Sequence, residues 1–155
     1  MEYKDIFVKV IVHSLKELTR MDFMYEELES VKKYISSKEI TSQISIFGNE
    51  HEGMLIINLD RNLLKKLYFG IEEEEFEDED NFTIEDFCGE LTNIIAGKFI
   101  DFLDLDVTIS LPMINFESVE YAMIRKNVFD CFRFYNSQGL EFFIYTYLSS
   151  LAKDF

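Results

Sequence analysis

The 155-residue chain has no tryptophan, one proline, two cysteines and two histidines. The lone Pro112 excludes a proline-rich linker, and the length fits a single domain over residues 1–155. Bases are scarce, with 15 Lys and Arg against 30 Asp and Glu, for a formal net charge of −15. Phosphate contacts need Lys and Arg, so this deficit argues against DNA, RNA and anionic membranes. No apolar run approaches the roughly 18 residues needed to span a bilayer. The start, Met1-Glu2-Tyr3-Lys4-Asp5, carries acids where a signal peptide has bases. A soluble, cytoplasmic protein is expected. Cys88 and Cys131 lack metal spacing and read as buried thiols of a reducing compartment. His13 has no second ligand at zinc spacing and reads as a partly buried helix residue. No metal or cofactor is expected on this chain.

What is present is apolar substance: 48% hydrophobic residues, including 16 Phe and 8 Tyr, enough for a real core. Residues 4–20 read as a helix, with Phe7, Ile11, Leu15 and Leu18 forming one apolar stripe. Residues 21–38 suggest a short strand and a turn. Alternation over 39–47 predicts a strand, Gly48 to Gly53 a hairpin loop holding a solvated His51, and Met54 to Leu59 a more central strand. Asp60 is placed to cap a short helix from Arg61 to Phe69, ended by Gly70. Glu72 to Asp80 holds eight acids in nine residues, which reads as a solvated, self-repelling loop. It lacks the alternation and the glycine of a calcium loop.

Thr83-Ile84-Glu85-Asp86 resembles a capping box and opens a second long helix. Its apolar stripe is Ile84, Phe87, Leu91, Ile94, Ile95 and Phe102. The period then switches to two over Val107 to Leu111, closed by Pro112. Further strands are expected at about 114–124, 128–135 and 139–149, with Asn136-Ser137-Gln138-Gly139 as the turn between the last two. The sum is an α+β fold, an antiparallel (mixed) sheet with two long helices packed on one face.

On the second long helix, residues three and four apart share a face, so Asp86, Glu90, Asn93 and Gly97 form a stripe opposite the apolar one. Gly89, Ala96 and Gly97 surround Asn93. Each helical glycine costs on the order of 1 kcal/mol against alanine, which suggests close approach by another surface. Helix packing explains these small residues equally well, and a Glu-x-x-Asn pair alone is weak as a motif.

The string Asp86-x3-Glu90-x2-Asn93, running into Ile94-Ile95-Ala96-Gly97, closely resembles the signature of the CheC–CheX–FliY phosphatases of bacterial chemotaxis. The strand ending in Pro112 and the early helix–hairpin–helix order resemble the same family, over nearly the whole chain. One departure is spacing: Asn93 to Pro112 is shorter than the family pattern by about one helical turn. Lys9 and His13 stand where a second site would want acid and amide, so the likeness is to the single-site, CheX-like branch. The resemblance implies hydrolysis of the aspartyl phosphate on a phosphorylated CheY-like response regulator. Asn93 would orient the attacking water and Glu90 would pair with the partner's lysine. Mg²⁺ would belong to the partner. Asp86, Gly89, Ala96 and Gly97 would line the contact, although capping explains Asp86 equally well. The resemblance also implies a homodimer, for which the aromatic late strands (Phe132, Phe134, Phe142, Phe143, Tyr145 and Tyr147) offer an edge; filling the core is the plainer role for them. Two other classes fit the same fold: a non-catalytic receiver-binding or structural module, and an orphan homodimeric scaffold.

Overall fold

Thr19 ends the first helix, α1 (Tyr3–Thr19). Its hydroxyl donates to the Leu15 carbonyl at 2.6 Å, and Arg20 turns the chain in the left-handed region at φ 63. The computed structural model describes residues 3–28, 38–74, 81–117 and 129–150. Within them the chain continues as β1 (Met24–Leu28), β2 (Ile40–Gly48), β3 (His51–Leu59), α2 (Arg61–Glu72) and α3 (Asn81–Leu103). It closes with β4 (Val107–Ile109), β5 (Met113–Asn115), β6 (Asp130–Tyr135) and β7 (Glu141–Ser150). Residues 118–124 of the expected strand at 114–124, most of the acidic run and the second half of 21–38 lie outside the described residues.

The strands form one sheet in the order β1-β6-β7-β3-β2-β4, with β5 also paired to β2. Every described pairing is antiparallel. Alternate residues of the strands, such as Ile44, Ile46, Leu55, Ile57, Phe132, Phe134 and Ile144, share one buried core with Phe7 and Ile11 of α1, Leu64 and Leu67 of α2, and Leu91, Ile95 and Phe99 of α3. Period-two strands and period-3.6 helices thus bury their apolar faces against each other, each large side chain contributing about 1.5–3 kcal/mol. A smaller cluster of Ile56, Phe129, Cys131 and Tyr145 lies on the opposite face. Both cysteines are buried and free, as expected.

Several expectations are corrected. The loop at Gly48 to Gly53 shrinks to Asn49 and Glu50, and His51 joins β3 opposite Ser150. α2 runs through Gly70 to Glu72 and is capped by Glu73 in the left-handed region, whose N–H donates to the Phe69 carbonyl. A Cβ on Gly70 would stand 3.2 Å from the Thr19 carbonyl oxygen, so this glycine serves the approach of α1 rather than a helix end. Asp60 does cap α2, accepting from the Leu63 N–H at 2.8 Å. His13 is exposed, 3.6 Å from Glu17. Phe102 is 67% exposed and borders a groove against Ile6 and Val10, while Ile100 and Leu103 of the same last turn of α3 pack on the core. Strand β4 ends at Ile109, leaving Leu111 outside it and exposed. The aromatic strands β6 and β7 are interior to the sheet, flanked by β1 and β3, and offer no edge; Phe132, Phe134, Phe142 and Tyr145 are buried.

Candidate functional site

α3 carries the expected site. It begins at Asn81, two residues before the anticipated cap, so Asp86 stands beyond the first turn. The capping role proposed for Asp86 therefore falls away. The helix ends at Leu103, where Asp104 takes φ 52 and its N–H donates to the Ile100 carbonyl at 3.0 Å.

Phe82, Glu85, Asp86, Gly89, Glu90, Asn93, Pro112 and Ile114 line one open cleft of about 520 Å³. Asp86, Glu90 and Asn93 are exposed along the same helix face. Neither Glu90 nor Asn93 has a side-chain hydrogen bond or ion pair among the described residues. Among the described residues three carboxylates (Glu85, Asp86 and Glu90) line the cleft and no Lys, Arg or His does. Such a surface repels a free phosphate and attracts a partner that brings its own cation.

The small residues divide. Gly89 is buried, and a Cβ there would lie 3.3 Å from Pro112 Cγ and 3.4 Å from Ile114 Cδ1. Its missing side chain makes room for the chain's own proline. Ala96 is fully buried in the core and presents nothing to a partner. Gly97 alone borders open space, with no atom within 4 Å of an added Cβ. Phe82, 81% exposed, was missed. Its position four residues before Asp86 was the available signal, since it continues the same stripe. Pro112 and Ile114 reach the cleft only through tertiary folding.

Beneath the site, Thr92 is fully buried. Its Oγ1 donates to the Cys88 carbonyl at 2.7 Å and lies 2.8 Å from Ser42 Oγ on β2. Burial pushes the Cys88 thiol up to about 12, against smaller opposing contacts from Ser42 and Thr92. Cys88 is therefore a neutral core group, not a nucleophile. Among the described residues no group of three or more His, Cys, Asp or Glu is arranged to hold a metal ion. No described helix is long and apolar enough to cross a membrane.

The family described as Chemotaxis phosphatase CheX matches residues 40–125, which include α3, the cleft and Pro112. The chain belongs to the CheX family. Its fold is that of solved CheX structures. The chemotaxis protein CheX of Vibrio vulnificus is 19% identical with a TM-score of 0.82, covering 96% of this chain and 100% of that one. A CheX-CheY-BeF3-Mg²⁺ complex from Borrelia burgdorferi is 19% identical with a TM-score of 0.71, covering 95% and 97%. FliY of Thermotoga maritima is more distant, 17% identical with a TM-score of 0.55, covering 96% and 89%. None of the curated proteins matches by sequence. Within the CheX family, this chain's α1 shows no second acid–amide pair; Lys9 and His13 are both exposed there.

Proposed function

We propose that this CheX-family chain hydrolyses the aspartyl phosphate of a CheY-like response regulator, with Asn93 positioning water and Glu90 docking the partner. The observation that carries the reading is the exposed pair Glu90 and Asn93 on one face of α3, which among the described residues have no side-chain partner and lie in a cleft lined by carboxylates and no cation. The substrate must supply the positive charge. A receiver site holding a lysine and Mg²⁺ does so, whereas a small free phosphate does not.

Phosphoryl transfer asks mainly for positioning and electrostatics. The Asn93 amide has both a donor and an acceptor and stays neutral beside phosphate. It holds a water in line with the phosphorus. The water oxygen bonds to phosphorus and the bond from phosphorus to the aspartyl oxygen breaks; the receiver keeps its aspartate as a free carboxylate, and inorganic phosphate leaves carrying the water's protons. The Glu90 carboxylate pairs with the receiver's lysine and fixes the register. Asp86 and Gly97 lie on the contact face; Gly89 shapes the cleft from within. The same reading takes the protein as cytoplasmic and as a homodimer. Exposed Phe47, Leu111 and Met113 support a second contact surface away from the core.

The test is phosphate release from a phosphorylated receiver, with wild type and Asn93→Ala. Binding without turnover by the wild type would favour the non-catalytic receiver-binding module instead.

A further inference from the structure

Two contacts hold α3 against the rest of the protein immediately beside the site. Gly89, next to Glu90, lies against Pro112 and Ile114. Thr92, next to Asn93, meets Ser42. Ser42 and Ile114 are register partners in the β2–β5 pair, so both contacts end on the same piece of sheet. Successive helix residues are rotated by about 100°. Fixing residues 89 and 92 inward therefore sets the outward angle of residues 90 and 93. The remaining inward side chains of this stretch, Leu91 and Ile95, are apolar. Apolar packing is non-directional and tolerates small rolls of a helix. A buried hydroxyl pair does not, because its distance and angle are restricted and an unmade bond is costly.

We propose that the Ser42–Thr92 hydroxyl pair is a positioning device for the active site, setting the roll of α3 so that the Asn93 amide meets the phosphoryl group in line. The proposal rests on the phosphatase reading and deepens it. Thr92 is a positioning residue and touches no substrate. The Cys88 carbonyl, which also accepts from Thr92, ties the hydroxyl to its own helix and fixes which way it points. The adjacent thiol completes a small polar group inside an otherwise apolar contact.

The experiment compares steady-state kinetics on a phosphorylated receiver, thermal denaturation and ¹H–¹⁵N spectra. The variants are Thr92→Val, Thr92→Ser and the double variant Ser42→Ala with Thr92→Val. Misplacement by a fraction of an ångström to one ångström costs up to about a hundredfold in rate. Thr92→Val is therefore expected to lower kcat at least about tenfold, with KM within about twofold of wild type. Thr92→Ser keeps the hydroxyl and keeps kcat. The double variant also removes the Ser42 hydroxyl, which Thr92→Val leaves with only its weak contact to the Cys88 thiol, so it regains thermal stability while kcat stays low. The amide signals of Glu90 and Asn93 shift in Thr92→Val and not in Thr92→Ser. Wild-type kcat in Thr92→Val, or kcat returning together with stability in the double variant, overturns the proposal. If the wild type releases no phosphate, the phosphatase reading fails. The spectra then decide the positional claim, and unmoved Glu90 and Asn93 signals in Thr92→Val overturn it.

Discussion

Gly97→Ala separates helix energetics from partner clearance. Gly97 lies inside α3 and is absent from the positions with positive φ, so its backbone is one that alanine adopts without strain. An added Cβ meets nothing within 4 Å, which removes any steric cost and any gain from packing. What remains is propensity: alanine is favoured over glycine in a helix interior by about 1 kcal/mol, partly through the smaller entropy of the unfolded chain. For a domain of this size, 1 kcal/mol raises Tm by about 2–4 °C. With no tryptophan in the chain, circular dichroism is the natural probe. The same methyl group stands one turn from Asn93, on the face where a receiver must come close. Steady-state kinetics should therefore show a raised KM with kcat nearly unchanged. A falling Tm would refute the account of the helix. A raised Tm with an unchanged KM would refute the clearance assigned to Gly97.

Gly89→Ala behaves differently. Its Cβ presses on Pro112 at 3.3 Å, so the propensity gain of about 1 kcal/mol is offset; no rise in Tm and a lower kcat are expected in the same two assays. Asp60→Ala removes the cap on Leu63 N–H and should destabilise by about 1 kcal/mol in urea titration, with phosphatase kinetics unchanged. Alkaline pH weakens the fold. Burial raises both thiols from 9.0 to about 12, so between those values the native state holds protons that the unfolded state has lost. Their contribution is fully present below pH 9 and is lost as pH rises toward 12, at up to about 1.4 kcal/mol per unit for each thiol. Cys88→Ala should show a shallower decline when denaturation is followed against pH.

The stripe of Asp86, Glu90, Asn93 and Gly97 was legible because the helical period alone brings those positions together. Strand alternation likewise exposed β2, and the turn at Asn136 to Gly139 marked the β6–β7 hairpin. What stayed hidden depended on distant residues. Gly89 and Gly97 look alike in sequence, yet one faces Pro112 and the other faces solvent. Gly70 reads as a stop signal locally, but its neighbour is Thr19 at the end of α1. The polar residues at the start of β3 look like a loop, since pairing with β7 supplies their hydrogen bonds without an apolar pattern. Thr92 reads as an ordinary helix residue until Ser42, fifty positions earlier in the chain, is seen against it.

The most direct test of the central claim is Asn93→Ala, measured for phosphate release from a phosphorylated CheY-like receiver and, in parallel, for binding to that receiver. Asn93 is exposed and has no side-chain partner among the described residues, so its truncation should leave folding intact. The account predicts that phosphate release falls to the receiver's own spontaneous rate while binding stays near that of wild type. Near-native phosphate release by Asn93→Ala would contradict it.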